Sequence, residues 1–296
     1  MNHLISGDIA VLLIVSFGVG IVVGLTGMGG GALMTPAMIF LGVAPTVAVA
    51  NDLVAAVVNK SVGAAVHWRA GSPDLRLAGW LMAGSVPTAF AGAFLIRAIG
   101  PSQDQDQFLK YAIGATLILA SLTYALRTYI NLRSLVAGRQ DGGTYVVRPA
   151  KTMLLGAVGG LVVGVTSVGS GSVIMVTLLI MYPALNALRL VGTDLVQAIP
   201  LVTSAALSHI LVTGVDWSVL IPLIIGGSPG TFLGARLANF VSQSAVRRGI
   251  TIVLFLTGMA LLGAQPIVMG IGGAALLILG PVAWGVARRH LGLNSR

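Results

Sequence analysis

The sequence predicts an all-α polytopic membrane protein made of two inverted repeats. Each repeat is a broken, re-entrant helix pair plus three transmembrane helices, and one extra transmembrane helix closes the chain. Three observations carry this. Over 296 residues the chain is 56% apolar and 8% charged, with mean hydropathy +0.97, which is more apolar than a soluble core requires. Its second half repeats its first, and its basic residues favour one side of the apolar stretches.

Apolar stretches cover residues 9–42, 46–68, 78–100, 108–130, 151–182, 186–213, 217–238, 248–263 and 267–288. Most match the roughly 20 residues that cross a bilayer as helix. Residues 9–42 and 151–182 are too long for one span and too short for two, and a Gly-rich string cuts each. Each therefore reads as two half-helices that enter and leave on one side, because irregular backbone survives at membrane depth only where protein or a water-filled cavity covers it. The predicted units are residues 1–130 (first repeat), 131–150 (cytoplasmic linker), 151–264 (second repeat) and 265–296 (extra helix and cytoplasmic tail).

The repeat is a register of particular residues. GLTGMGGGALMTP from Gly24 returns as GVTSVGSGSVIMV from Gly164, aligning Gly20 with Gly160, Thr26 with Thr166, Gly29 with Gly169 and Gly31 with Gly171. After a two-residue insertion, Asp52 aligns with Asp194, His67 with His209, Asp74 with Asp216, Gly84 with Gly226, Pro87 with Pro229 and Gly92 with Gly234. Shared composition would not keep that order of Asp, His, Asp and Pro. With both broken segments re-entrant and the N-terminus outside, fourteen of the seventeen basic residues lie inside; Arg97 and Lys110 lie outside and Lys60 within a span. This is the positive-inside bias. The first copy then begins outside and the second inside, so the repeats are inverted, the C-terminus is cytoplasmic, and the net charge of +9 is first an orientation signal.

The same inventory excludes much. The chain has no Cys and no Glu, so disulfides, thiolate metal sites and thiol nucleophiles are out and little remains for acid–base chemistry. The N-terminal MNHLISGD lacks a basic n-region, so no cleaved signal peptide is expected. Gly27 to Ala32 fits G-x-G-x-x-A with Asp52 about twenty residues on, but no strand precedes it and the flanks have membrane length, so it is no dinucleotide site. No enzyme activity, cofactor, metal or nucleic acid is expected; the expected partners are a small anion and the lipid bilayer, and the oligomeric state stays open.

Candidate site residues cluster at the breaks and on the next helix. Glycine breaks expose N–H groups at a positive helix-dipole end, so two breaks meeting at the midplane would cradle an anion through Gly27, Gly29, Gly30, Gly31, Gly169 and Gly171, with hydroxyls from Thr26, Thr166, Ser167 and Ser170. The bland reading is that glycine here only lets helices pack, as in the Gly156, Gly160, Gly164 spacing. On residues 46–68, Asp52, Asn59, Gly63, His67 and Lys60 fall within an arc of about 100°, with Asn51 beside them; the second copy offers Thr193, Asp194, Gln197, Ser208 and His209, and Pro200 is expected to interrupt that helix. Lys60 either attracts the anion, pairs with Asp52, or snorkels toward the cytoplasm; its counterpart is Val202. His67 and His209 are candidates for proton coupling or for capping or loop anchoring, and Asp52 and Asp194 for the site or for helix capping.

The G-x-G-G-G break that leads to Pro36, its repeat around Gly169 to Gly171, and the stretch HWRAGSPD (His67 to Asp74) resemble the TauE/SafE family of membrane transporters, over roughly residues 10–264. The resemblance implies secondary transport of a small anion, of sulfite, organosulfur or carboxylate type, across the cytoplasmic (inner) membrane without ATP. An anion channel built on the same midplane site is the alternative. Ser167 and Ser170 replace glycines of the first copy, and Lys60 matches no family motif, so substrate identity stays open.

Overall fold

A computed structural model describes residues 6–26, 30–67, 73–136, 145–183, 185, 187–238, 240–241 and 243–290. The described residues of the first half form α1 (Ser6–Thr26), α2 (Gly31–Phe40), α3 (Pro45–His67), α4 (Leu75–Ala98) and α5 (Ser102–Val136). The second half forms α6 (Pro149–Thr166), a π-helical turn (Ser170–Ile174) running into α7 (Met175–Met181), α8 (Ala187–Val212), α9 (Trp217–Leu237) and α10 (Gln243–Leu261). Then follows α11 (Pro266–His290). Helix starts are locally encoded. Asp74 caps α4 by accepting from the Leu77 N–H at 2.9 Å, Asp216 caps α9 by accepting from the Ser218 N–H at 3.0 Å, and Pro149 opens α6.

Packing between the halves is reciprocal. The first helix of each half lies on the fourth of the other, α1 on α9 and α6 on α4, while α3 meets α8 and α5 meets α10. Glycines set the approach: a Cβ on Gly20 or Gly24 would strike the α9 backbone at Gly227 and Thr231, and one on Gly156, Gly160 or Gly164 would strike α4 at Leu81, Ser85 and Ala89. The contacts advance in steps of about four on both partners, so each pair runs parallel, with backbones as close as small residues allow. For these glycines the packing reading holds.

The inner faces form two apolar clusters, one around Leu53, Leu81, Leu117 and Leu178 and a smaller one around Leu12, Met38 and Leu223. Large apolar side chains such as Ile14, Leu75, Ile225 and Ile271 lie exposed on the outside, as a lipid solvent requires. Among the described residues six helices are long and apolar enough to cross a membrane: α1, α4, α5, α6, α8 and α9. The protein is a multi-pass, all-helical membrane protein.

Three features differ from the sequence expectation. The limbs of each broken segment are unequal: α1 has 21 residues and α6 has 18, each span-length, whereas α2 has 10 and α7 has 7. Only the second limb is short, because the glycines lie late in each apolar stretch. Pro200 does not interrupt α8, which continues for 26 residues; one lost amide is tolerated when flanking turns and neighbouring helices hold the rest. And α5 continues six residues into the stretch assigned to the linker, to Val136.

Candidate functional site

Asp52 joins the two halves. It is the eighth residue of α3, is 2% exposed, and receives two hydroxyls on one oxygen: Thr35 Oγ1 from α2 at 2.7 Å and Ser167 Oγ from the end of α6 at 2.6 Å. Thr35 is the one polar side chain of α2, and Ser167 belongs to the other half. Hydrogen bonds to an ionised acceptor are about twice as strong as neutral ones, so this carboxylate ties both breaks together. Capping does not describe it, because its partners are remote in sequence.

The breaks themselves touch. A Cβ at Gly31 would collide with the Ser167 carbonyl, so the start of α2 rests on the end of α6 with no side chain between. Ser167 ends α6 in the left-handed region at φ 60°, and Gly169 follows at φ 115°; the second value is accessible chiefly to glycine. Gly30 lies in the turn before α2, where a Cβ would meet Val23 at an ordinary 3.9 Å, and Gly171 is buried in the π-helical turn. Thr26 and Thr166 bond back to the carbonyls of Val22 and Val162, each at 2.7 Å, and Thr166 Oγ1 also accepts from the Val168 N–H at 3.2 Å. Gly27, Gly29 and the side chains of Ser170 and His67 lie outside the described residues.

Asp194 is likewise the eighth residue of its helix, α8, and is 4% exposed. Gln197 Nε2 donates to it at 3.1 Å. Half-buried Lys60 sits in the field of both carboxylates, that of Asp194 the stronger and that of Asp52 the weaker.

The remaining candidates are placed as follows. Asn51 Nδ2 donates to the Val47 carbonyl at 2.8 Å, leaving Oδ1 buried with no partner; Gln197 Oε1 is buried and unpartnered too. Asn59 accepts from Ser228 at 2.8 Å and so holds α3 to α9. Thr193 is engaged away from Asp52: it donates to the Arg189 carbonyl at 2.7 Å and accepts the Asp74 N–H at 2.9 Å. His209 Nε2 donates to the Gly164 carbonyl at 2.8 Å, one of the carbonyls orphaned where α6 ends. It acts as a cap from a neighbouring helix, not as a loop anchor.

Sequence reasoning missed two groups. Thr35 was visible as a lone hydroxyl in an apolar limb next to Pro36. The other is a latch at the linker: the Tyr145 hydroxyl donates to Asp74 Oδ2, and the Tyr145 ring lies 5.6 Å from that of Tyr182, whose hydroxyl bonds Thr152 at 2.6 Å and accepts the Arg148 N–H at 2.9 Å. Partial burial pushes the Asp74 carboxyl up, but the Tyr145 hydroxyl, the Leu77 and Arg76 N–H groups and the charge of Arg189 together hold it below the usual range. Burial and the Asp74 carboxylate push Tyr145 up to about 12. Only long-range pairing brings these residues together, so no local pattern marks them.

A multi-pass bundle whose paired glycine breaks meet at a buried carboxylate matches a family model described as sulfite exporter TauE/SafE over residues 12–261. The chain belongs to the TauE/SafE family. Similar proteins include the "Probable membrane transporter protein YjnA" of Bacillus subtilis (strain 168), 32% identical over 252 residues that cover 85% of this chain and 98% of the relative. A second from the same organism, "Probable membrane transporter protein YdhB", is 25% identical over 85% of this chain and 99% of its own length. No solved structure matches the chain. This TauE/SafE protein is a membrane transporter by family.

Proposed function

We propose that the protein is a secondary transporter of a small oxyanion, of sulfite, organosulfur or carboxylate type, in the cytoplasmic membrane. The observation that carries this reading is the contact of the two breaks, Gly31 against Ser167, tied by Ser167 and Thr35 to Asp52. Ends of broken helices leave N–H and C=O groups without helical partners, and in transporters these ends form substrate and ion sites. Oxyanion oxygens would take N–H groups at Gly30, Gly31 and Gly169 to Gly171, with Lys60 supplying positive charge.

The reciprocal packing of α1 on α9 and α6 on α4 supports a reading as two repeats inverted about an axis in the membrane. On that reading the N-terminus faces outside and the C-terminus the cytoplasm, as the basic residues prefer. An apolar cavity of about 540 Å³ lies behind α2, bounded by Val22, Leu33, Pro36, Phe40, Ile250 and Val253. It gives the short limb room to shift, so alternating access proceeds by movement of α2 and its counterpart against the span-length helices.

Purified protein in proteoliposomes is tested with sulfite, thiosulfate, methanesulfonate, acetate and sulfate. Saturable uptake with counterflow of at least one anion is expected. Flux of none of them would sink the oxyanion reading, and unitary currents in a planar bilayer would replace the transporter by a channel.

A further inference from the structure

Behind the short limb α2 the bundle opens toward lipid, and α10 shows why. Its Phe255, Leu256 and Met259 meet α11 at Gly272 and Gly273. Its Gly258 meets α5 at Gly114, and nearby Ser121 of α5 donates to the Thr251 carbonyl at 3.1 Å. A third face, Val246, Ile250, Val253 and Thr257, recurs at helical spacing and turns toward α1 and α2. Between that face and those two helices lies the cavity of about 540 Å³, within the range of ligand pockets. Two residues that line it are exposed glycines, Gly18 of α1 and Gly249 of α10, and a Cβ added to either would meet nothing within 4 Å. Among the described lining residues Thr257 alone has a polar side chain.

Length and charge say what fits. From Val246 to Thr257, α10 rises about 16 Å, half of the roughly 30 Å hydrocarbon core. That is the depth of one leaflet and so of one acyl chain. Val246 lies in the first turn of α10, and beside it stand Arg247, half-buried, and Arg248, exposed. Gly24 near the end of α1 abuts Ala235 near the end of α9, and α10 starts six residues after α9 ends, so the end of α1 lies on the arginine side. Acidic groups are remote from this mouth in sequence and in the fold: residues 217–296 and α2 contain no Asp or Glu, and Asp8 lies at the far end of α1. An apolar wall one leaflet deep under a basic mouth is complementary to an acyl chain below an anionic headgroup.

We propose that the cavity behind α2 binds one anionic phospholipid: an acyl chain lies along α10 between α1 and α2, and the phosphate meets Arg247 and Arg248. Basic residues at a membrane surface attract anionic lipid, and basic pockets between helices take such headgroups. On the proposed orientation this mouth faces the cytoplasmic leaflet, whose surface potential is negative. The chain rests on Pro36 of α2, the residue after Thr35, whose hydroxyl bonds Asp52. A seated chain therefore fills the space into which α2 would move and opposes that movement. This consequence rests on the transporter reading; the lipid site does not.

The probes are palmitoyl-oleoyl phosphatidylglycerol, phosphatidylcholine with the same chains, and dihexanoyl phosphatidylglycerol, each added to delipidated full-length protein in detergent. Native mass spectrometry reads the lipid retained per chain. Expected is one long-chain phosphatidylglycerol per chain, held about tenfold or more tightly than phosphatidylcholine and than the short-chain lipid. Gly18→Leu and Gly249→Leu fill the cavity and should each weaken retention about tenfold, whereas Gly270→Leu, at an exposed α11 glycine with equally open space, should leave it unchanged. Arg247→Gln combined with Arg248→Gln should abolish the preference over phosphatidylcholine, and Lys151→Gln, exposed in the first turn of α6, should keep it. Equal retention of the two long-chain lipids, or retention that both cavity-filling variants leave unchanged, overturns the proposal. A dimer without retained lipid that Gly249→Leu dissociates gives the cavity to a second copy of the chain and overturns it too. If the Leu variants do not fold, the wild-type comparison of headgroups and chain lengths still decides. None of these readouts uses anion flux, so the transporter reading stands or falls separately.

Discussion

Asp52 and Asp194 share a register, a helix position and near-complete burial, yet the hydrogen bonds described around them differ. Asp52 takes Thr35 and Ser167, which the repeat matches with Met175 and Gly27; Asp194 takes Gln197, which it matches with Ala55; Lys60, in the field of both, is matched with Val202. The matched residues therefore build a symmetric scaffold with one carboxylate per half. The side chains described as hydrogen-bonding those carboxylates are all mismatches of the sequence register. The difference teaches that two positions alike in register and burial can sit in unlike polar surroundings.

The largest effect on that comparison is expected from Lys60. Lys60→Met removes the cation that sits in the field of both buried carboxylates, and losing one partner of a fully buried pair costs about 3 to 5 kcal/mol, an upper bound for half-buried Lys60. Transport should fall below detection and the melting temperature in detergent should drop. Adding Asp194→Asn to Lys60→Met removes the carboxylate whose field on Lys60 is the stronger and should recover much of the melting temperature. If the double variant is no more stable than Lys60→Met, the ammonium is not balanced by Asp194 and the shared-charge picture fails.

A smaller effect separates the two carboxylates directly. Ser167→Ala and Thr35→Val each remove a hydrogen bond to a charged acceptor, about 1.5 to 3 kcal/mol apiece. Gln197→Met removes a longer bond of 3.1 Å together with an orphaned buried oxygen, two changes that oppose each other, so the loss should stay within about 1 kcal/mol. Chemical unfolding in mild detergent reads all three. Equal losses would mean that the asymmetry around Asp52 and Asp194 has no energetic consequence.

Much of this was legible in sequence. Apolar length located the helices to within about six residues at either end, and the repeat register singled out Gly31, Asp52, Ser167, Asp194 and Lys60, because a buried polar residue in a membrane segment is too costly to be incidental. What the sequence hid is pairing at long range. Nothing local says that Thr35 and Ser167 share one oxygen of Asp52, or that His209 caps Gly164, since each contact joins helices brought together only by packing. The limb lengths were misjudged for a related reason: composition marks where glycine breaks a helix, while only the fold shows that 18 to 21 residues precede the break and 7 to 10 follow in the short limb.

The smallest expected effect lies at the linker, where Asp74 and Asp216 repeat the comparison at the surface. Both cap a helix, but only Asp74 also holds a linker tyrosine, and its N–H reaches Thr193, the neighbour of Asp194. Asp74 is depressed below its ordinary value of 3.8, so its contribution is present above that pH and fades as pH falls through the lower folded value. Tyr145 is raised from 10.0 to about 12, so its contribution is present below pH 10 and is lost as pH rises toward 12. Wild-type melting temperature should therefore be flat between these limits with respect to this pair. Tyr145→Phe should lower the plateau slightly and remove the alkaline fall that belongs to this pair, while Asp216→Asn should leave that fall in place. An alkaline limb unchanged in Tyr145→Phe would show that the linker is not latched to α4 through this hydroxyl, and Asp74 would then differ from Asp216 chiefly by its N–H contact with Thr193.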